Sequence, residues 1–549
     1  MFSRKTTRVV ILLGIVLFGG GLRLNGLGLR SLWADEFCTW RVSRMPLYES
    51  LRWGPELTKP PLYQLCLRAI TAESKPGESV LRMPAAVGGI LVIVAVWWLG
   101  TMTSGWTVGC SAALLFSCNE LQIDYSQEAR SYSMLVLGSI LSTGLWFRLV
   151  TERQGTKFRR PAQETGAIDV LPGSKSRWCI APIYVVVTVL AFHAHYLILL
   201  TVAAQAIWWV MRPWGPTNNP SLATADVSAP RDGRLAGPVA MVVVGLLCVP
   251  IVRHYFRFRT SAFQGLDWIA PPTWTDAIAV LERLTFGPVW VWALLLPAVL
   301  ILIAAWIRRA ILREASNASS VGGRRRFPTL FTVIRQIDAP TRDICGLLSI
   351  WLGTGWFGLM VISWLAHPAI VERYALPAAV PAILLPLIVA HRIDARAPVV
   401  IAGAFFVGSV GQWTARSENV MPGFREMVAF LNQVVDPQRD AVAVVIERTT
   451  SPGWEEMDRL GFEYYPSRNA DVHELYLRNG ELDGYQPILD DARALYLVSF
   501  LANPEKAVES SGRKMNRIHI DNQSVERLLF SPYRLMLVAP RQHELRIPN

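Results

Sequence analysis

Two adjacent carboxylates follow the first hydrophobic stretch of the chain: Asp35 and Glu36 within SLWADEF. Such a pair can be structural, because carboxylates stabilise the start of a helix and can pair with nearby arginines. It can also be catalytic, because a carboxylate partly shielded from water by Trp33, Phe37 and Trp40 accepts a proton more readily than a hydrated one. The pair therefore predicts either an ion-paired helix start or a general base with a neighbour that supports it.

A second polar cluster, YSQEARSY, lies between two apolar stretches. A solvated loop explains its polarity but not the aromatic residues Tyr125 and Tyr132 beside Glu128 and Arg130. In a helix, Glu128 and Tyr132 would share one face. An arginine at this point can bind a phosphate through two parallel hydrogen bonds or can anchor the chain at the membrane interface. Arg373 in HPAIVERY presents the same two alternatives.

Two further motifs, TKPPLYQL and FHAHY, place polar groups near apolar stretches. The two prolines predict a turn that starts a helix, and Lys59 at its mouth could offer a positive charge to a phosphate. His193 and His195 are spaced poorly for a metal site on a helix, which favours a structural or hydrogen-bonding role. The seven cysteines also lack metal-ligand spacing.

The composition indicates an integral membrane protein. The chain has 549 residues, of which 52% are hydrophobic, with 21 Trp and a mean hydropathy of +0.30, which is unusual for a soluble protein. Residues 1–414 contain 38 Lys and Arg against 22 Asp and Glu, whereas residues 415–549 contain 16 against 20. Basic residues beside apolar segments favour membrane anchoring and an anionic ligand over nucleic-acid binding.

The hydropathy pattern predicts about 11 membrane-spanning helices. The windows are 8–22, 84–103, 106–118, 131–149, 178–194, 196–211, 236–251, 288–308, 344–366, 375–391 and 398–414. Three basic residues, Arg4, Lys5 and Arg8, and no acidic residue lie before or at the start of the first window, so the N-terminus is predicted to lie in the cytoplasm. The sequence after this window lacks a small-residue cleavage pattern, which predicts a retained anchor.

This topology places the polar motifs together on the extracytoplasmic side. The first outside loop, 23–83, would contain SLWADEF and TKPPLYQL and would carry interfacial helices. Segments 150–177 and 309–343 would be cytoplasmic, and both contain more basic than acidic residues, as cytoplasmic loops usually do. Ionisable residues at a membrane boundary are candidates for function, so the shared side indicates one site.

The character of the chain changes near residue 415. FREMVAFLNQVV has helical apolar spacing, and AVAVVIE, ALYLVSF and YRLMLVAP are typical of buried strands. The predicted fold class is therefore an α-helical polytopic membrane protein, residues 1–414, followed by a soluble α/β domain, residues 415–549. An odd number of spans would place this domain outside the cytoplasm.

The motifs together resemble one family. The acidic pair after the first span, PPLY, SVLRMPAA before the second span, SQEARSY before the fourth and ERYALPA at a late span are similar to the GT-C membrane glycosyltransferases. The resemblance is to the protein O-mannosyltransferase-like group, which includes the bacterial aminoarabinose transferases. It extends over roughly residues 1–391, and the order and spacing of the motifs are more specific than any single motif.

The resemblance implies a polyprenyl-phosphate sugar donor and inverting transfer on the extracytoplasmic face of the inner membrane. It implies that Asp35 deprotonates the acceptor hydroxyl and that Glu36 supports it or contacts substrate. Lys59, Arg130 and Arg373 would hold the departing lipid phosphate, since cations stabilise a leaving phosphate while a carboxylate assists the nucleophile. No cofactor is required, although a divalent metal could lie near Asp35. The acceptor could be a protein, a lipid or a glycan.

Further substrate contacts are expected from the same motifs, namely Tyr63, Gln127, Glu128, Tyr132, His195 and Glu372. The main alternative function is a transporter or flippase for an anionic or lipid-linked solute, which would share the spans and the basic loops. Transporters often contain internal repeats and polar sites at mid-membrane, whereas here the polar clusters lie at one face. The sequence therefore favours a glycosyltransferase.

Overall fold

The computed structural model describes residues 3–51, 60–71, 75–151, 177–212, 232–264, 271–290, 339–365, 368–418, 423–447, 457–467, 472–478, 481–483, 494–499 and 534–538. Six helical segments within these ranges are long and apolar enough to cross a membrane. They are Lys5–Leu24, Glu78–Ser104, Tyr132–Thr151, Leu235–Arg253, Thr341–Leu365 and Glu372–Ile393. The protein is thus a multi-pass membrane protein, as its composition predicts.

Four shorter apolar helices accompany these six: Trp106–Cys118, Cys179–Ala194, Ile198–Met211 and Ala397–Ser409. Ten of the eleven predicted windows coincide with helices, since the length of an apolar run is the dominant signal for a span. The remaining window, 288–308, lies outside the described residues beyond Trp290. The total of 11 spans therefore stays a prediction.

The helices of the membrane part are numbered in chain order. They are α1 Arg4–Leu24, α2 Ala34–Arg44, α3 Leu47–Leu51, α4 Leu62–Ile70, α5 Glu78–Ser104, α6 Trp106–Cys118, α7 Glu120–Asp124, α8 Tyr132–Thr151, α9 Arg177–Ala194, α10 Ile198–Met211, α11 Asp232–Gln264, α12 Trp274–Leu284, α13 Ala339–Leu352, α14 Gly358–Leu365, α15 Glu372–Ala375, α16 Ala379–Ile393 and α17 Ala397–Glu418. A π-helical turn, Gly353–Phe357, joins α13 to α14, and a 3₁₀ turn, Leu376–Ala378, joins α15 to α16.

Small residues and polar side chains hold the bundle together. A Cβ on Gly100 of α5 would lie 2.9 Å from the Cα atom of Gly109 in α6, so these two backbones pack directly against each other. The Gln205 amide of α10 donates a hydrogen bond of 3.0 Å to Ser142 of α8 and accepts one of 2.8 Å from Tyr184 of α9. Buried hydrogen bonds of this kind fix neighbouring helices against one another.

The end of α1 is fixed to the rest of the bundle, and this fixes the start of the following loop. Arg23 is fully buried and donates hydrogen bonds to the carbonyls of Gly19, Phe116 and Ser117 at distances of 2.8–3.1 Å. The Gln127 amide donates to three carbonyls at the same helix end, those of Leu22, Arg23 and Asn25. A helix end leaves carbonyls without partners, and these side chains supply the donors.

The last part of the chain contains two further helices and one sheet. These are α18 Phe424–Val434 and α19 Met457–Tyr464, with β1 Asp440–Glu447, β2 Val472–Arg478, β3 Glu481–Asp483, β4 Ala494–Ser499 and β5 Arg534–Val538. The strand order is β3-β2-β1-β4-β5, in which β2, β1 and β4 are parallel and both edge strands are antiparallel. Helix α17 continues past residue 414 to Glu418, and the division into domains at 414/415 stays a prediction.

Candidate active site

The acidic pair lies in the first turn of α2, where the helix dipole favours negative charge. Glu36 is fully buried and accepts two hydrogen bonds of 2.6 and 2.7 Å from the Arg82 guanidinium of α5. It also accepts 2.7 Å and 3.3 Å hydrogen bonds from the N–H groups of Ala129 and Trp33. With both oxygens occupied in this way, Glu36 joins α2, α5 and the turn before α8.

Asp35 has a different environment, because residues adjacent on a helix point about 100° apart. Its Oδ2 atom lies 3.5 Å from Nη2 of Arg130 and 3.6 Å from Nη1 of Arg373. Only 10% of the Asp35 side chain is exposed, and the two arginine side chains are 9% and 14% exposed. Charge-assisted hydrogen bonds are typically 2.7–2.9 Å long, so these two guanidinium groups act on the carboxylate by charge more than by close contact.

Three distant parts of the sequence therefore meet around Asp35. Arg130 lies in the turn between α7 and α8, and its Nη1 atom also donates a 3.3 Å hydrogen bond to the backbone carbonyl of Asp35. Arg373 lies in α15, at the start of a membrane-spanning segment. An anion that entered this site would find two guanidinium groups already oriented towards one point.

Aromatic rings lie beside the two arginines, with Tyr132 next to Arg130 and Tyr374 next to Arg373. The Tyr132 ring lies 5.2 Å from that of Tyr125 and 5.5 Å from the imidazole of His195, measured between ring centroids. The His195 ring lies 6.1 Å from that of Tyr374, and its Nδ1 atom accepts a hydrogen bond of 3.2 Å from the Leu197 N–H. This contact between the FHAHY, SQEARSY and ERY motifs agrees with their predicted position on one side of the membrane.

Glu128 is the third carboxylate at the site. Its Oε2 atom is shielded from solvent and has no hydrogen-bond partner among the described residues. Burial raises the pKa of Glu128 to about 8, the charges of Glu36 and Asp35 raise it as well, and those of Arg373 and Arg130 oppose them. At neutral pH the carboxyl is therefore mainly protonated and can donate a hydrogen bond.

The backbone around Glu128 is not helical, in contrast to the possibility considered from the sequence. Residues 125–131 form turns and bends, and α8 begins only at Tyr132, so Glu128 and Tyr132 do not share a helix face. The physical reason lies in the tertiary contacts, because the Ala129 N–H donates to Glu36 instead of to a helical carbonyl. Local spacing cannot reveal such a long-range partner.

Other predicted site residues have partners within the protein. The Tyr63 hydroxyl is buried and donates a hydrogen bond of 2.7 Å to the Leu81 carbonyl, which fixes α4 against α5. Gln127 binds the end of α1, as described above. Glu372 forms an ion pair with Arg283 of α12. Lys59 lies outside the described residues.

Sequence reasoning missed two arginines that organise this region, Arg82 and Arg283. Arg82 is 3% exposed and also donates hydrogen bonds to the carbonyls of Leu27, Arg30 and Ser31. A signal for it was present in SVLRMPAA, since an arginine next to an apolar run of spanning length needs a specific partner. Arg283 occurs in an amphipathic helix and carries no comparable signal.

Within the described residues, no three His, Cys, Asp or Glu side chains come together as a metal site. The two carboxylates of the acidic pair face arginines, which are poor neighbours for a cation. The arrangement here therefore suits an anion, and a metal near Asp35 stays a prediction from the sequence.

Comparison with known proteins gave no matching protein-family model and no matching curated protein sequence. Among solved structures, the chain is similar to ArnT from Cupriavidus metallidurans in the apo state, with a TM-score of 0.50 and 14% identity over 98% of both chains. A structure of the same ArnT bound to undecaprenyl phosphate gives a TM-score of 0.46 and 14% identity over 97% of this chain and 98% of that one.

The oligosaccharyltransferase AglB from Archaeoglobus fulgidus, solved with an inhibitory peptide and a dolichol-phosphate, gives a TM-score of 0.45 and 13% identity. That match covers 91% of this chain and 70% of the AglB chain. ArnT and AglB are both GT-C glycosyltransferases. The similarity to apo ArnT shows the fold of this chain, so the resemblance inferred from the motifs is confirmed at the level of the fold.

Proposed function

We propose that the protein is a membrane glycosyltransferase that transfers a sugar from a polyprenyl-phosphate donor to a hydroxyl acceptor, with inversion at the sugar carbon. The observation that carries this proposal is the Asp35 carboxylate between the guanidinium groups of Arg130 and Arg373. Sugar transfer needs cations for the leaving phosphate and a carboxylate for the incoming hydroxyl. The site contains both, and the fold shared with apo ArnT supports the same chemistry.

The arginines change partner in the proposed reaction. In the structure they lie 3.5 and 3.6 Å from Asp35, distances long enough for the negatively charged phosphodiester of the donor to compete for them. Donor binding would draw Arg130 and Arg373 onto the phosphate and leave Asp35 free to face the acceptor. A carboxylate released from two cations is a stronger base, so binding of the donor would activate Asp35.

The chemical step then follows. The acceptor hydroxyl gives its proton to Asp35 while its oxygen bonds to the anomeric carbon, from the side opposite the phosphate. The bond between that carbon and the phosphate oxygen breaks, and its electrons leave with polyprenyl phosphate. Arg130 and Arg373 stabilise the charge that develops on this leaving group. Lys59 is proposed as a third cation for the phosphate.

The remaining residues would orient the substrates. Protonated Glu128 can donate a hydrogen bond to a sugar oxygen, and the partly exposed His195 can contact the sugar ring, with the buried Tyr132 packed beside it. Glu372, paired with Arg283, lies next in sequence to Arg373 and would fix the start of α15. Glu36 and Arg82 would support the reaction by holding the start of α2 in place.

Turnover by purified protein in lipid nanodiscs tests this function. The protein is supplied with a panel of undecaprenyl-phosphate pentoses and hexoses and with a crude envelope extract that contains protein, lipid and glycan acceptors. We expect release of undecaprenyl phosphate and labelled sugar on one acceptor class. If folded protein releases undecaprenyl phosphate from none of the donors and instead moves a donor across the membrane of vesicles, the transporter alternative is established.

A further inference from the structure

The side of α2 opposite Asp35 is covered by the last part of the chain. Phe37 and Trp40 are fully buried, and their helical positions lie about 140–200° around the axis from Asp35. The Trp40 ring lies 5.0 Å from that of Tyr464, and the Phe37 ring lies 5.5 Å from that of Phe424. Helices α18 and α19 therefore supply the apolar surface that backs the helix with the acidic pair.

Hydrogen bonds attach the same segment to the start of α2. The Tyr465 hydroxyl accepts a hydrogen bond of 3.0 Å from the Leu32 N–H, just before the acidic pair, and donates one of 2.9 Å to Glu78 at the start of α5. The Tyr464 hydroxyl donates a hydrogen bond of 2.6 Å to the Pro76 carbonyl. One pair of tyrosines thus connects the last part of the chain to both ends of the loop that contains α2.

Arg425 of α18 completes the attachment. Its Nη1 atom lies 2.9 Å from Glu78 and 3.3 Å from the Gly28 carbonyl, and Nη2 donates to the Leu29 carbonyl. The backbone also approaches closely, because a Cβ on Gly423 would lie 2.0 Å from the Ser31 hydroxyl. A residue larger than glycine at position 423 would require the Ser31 side chain, in the segment that leads into α2, to move.

We infer that α18, α19 and Tyr465, here called the brace, position Asp35 for the reaction, an inference that rests on the proposed function. Asp35 lies 3.5–3.6 Å from its arginines, which change partner when the donor binds, so the packing of α2 contributes to its position during the reaction. Phe424, Tyr464 and Tyr465 are positioning residues that act through α2. A misplacement of about 1 Å can lower a rate about a hundredfold.

Kinetics of brace variants test this inference in the full-length protein. Phe424→Ala removes the ring that packs on Phe37, and Tyr465→Phe removes only the hydroxyl that bonds Leu32 and Glu78. We expect kcat to fall at least about tenfold in Phe424→Ala and about fivefold in Tyr465→Phe, with the KM for donor unchanged in both. Ser467→Ala is the matched control, because Ser467 bonds only within the last part of the chain, to Asn432.

Hydrogen–deuterium exchange provides a readout that does not depend on activity. Exchange of the amides of residues 34–44 should be faster in both variants than in the wild type and unchanged in Ser467→Ala. The inference would be overturned if exchange of residues 34–44 were unchanged in Phe424→Ala and Tyr465→Phe. It would also be overturned if exchange were faster in these variants while kcat stayed at the wild-type value. If the wild type turns over no donor, the proposed function fails, and the exchange of α2 alone then decides whether the brace holds this helix.

Discussion

At the scale of single residues, the two adjacent carboxylates have opposite environments. Glu36 is saturated by an arginine and two backbone N–H groups, whereas Asp35 faces two arginines at longer range. A carboxylate with every acceptor site occupied cannot take up a substrate proton without breaking these bonds. This contrast favours the structural alternative for Glu36 and supports the proposal of the chemical alternative for Asp35.

Replacement of either arginine tests the proposed phosphate site. Arg130→Gln and Arg373→Gln should each weaken the binding of undecaprenyl phosphate by at least about tenfold, because a hydrogen bond to a charged group contributes about 1.5–3 kcal/mol. Binding is measured with radiolabelled lipid in nanodiscs. Arg30→Gln is the matched control, since Arg30 is half-exposed and forms a 3.8 Å pair with Asp124 on the same side of the protein. Unchanged affinity in both site variants would remove the arginines from this role.

Glu128 predicts a pH dependence of stability. Its pKa is raised in the folded protein to about 8 from an ordinary value of 4.5, so the folded state retains a proton that the unfolded state releases. The melting temperature of the wild type should therefore fall as the pH rises from about 4.5 to about 8. Glu128→Gln should show a smaller fall, measured by differential scanning fluorimetry across this range. An identical pH profile for both proteins would contradict the buried, protonated state.

At the scale of elements, the Glu36–Arg82 pair joins the start of α2 to α5. Removing one partner of a buried ion pair leaves an uncompensated charge and typically costs about 3–5 kcal/mol. Glu36→Gln should therefore lower the melting temperature strongly, and by more than Asp35→Asn, because Asp35 lies at the longer distances of 3.5 and 3.6 Å from its arginines. Glu49→Gln, at an exposed position of α3, is the control for the loss of a carboxylate. A stable but inactive Glu36→Gln protein would instead place Glu36 in the chemical step.

The elements differ in how well the sequence predicts them. The apolar windows were predictable because a bilayer fixes the length of a span, and the helix after Pro60 and Pro61 was predictable from the prolines. The turn at 125–131 was not, because its conformation depends on Glu36, which lies about 90 residues earlier. Strand β2 was also missed, since VHELYLR has none of the continuous apolar character of β1.

At the scale of the whole molecule, several helix ends meet at the candidate site. Helix α9 ends just before His195, α8 begins at Tyr132, and a spanning segment begins at Glu372. The topology predicted from hydropathy indicated this convergence, and the order and spacing of the motifs predicted the fold. The distances within the site were not predictable, because they depend on partners such as Arg82 that no local pattern identifies.

The predicted orientation of the molecule has a direct test. Basic residues at the start of the first span predict that the N-terminus lies in the cytoplasm, and the predicted odd number of spans would place the last domain outside. A C-terminal alkaline phosphatase fusion should therefore be active, and the same fusion after residue 160, in the basic segment 150–177, should be inactive. The opposite pattern would place the acidic pair on the cytoplasmic side and contradict an extracytoplasmic reaction.

In the proposed reaction Asp35 is the base, and its arginines are shared with the donor phosphate. The most direct measurement compares wild type and Asp35→Asn in one nanodisc preparation, for release of undecaprenyl phosphate and for affinity towards this lipid. We predict that the variant releases none above background yet binds the lipid at least as tightly as the wild type, because the competing carboxylate is gone. Wild-type release by Asp35→Asn, or weaker lipid binding, would contradict the account.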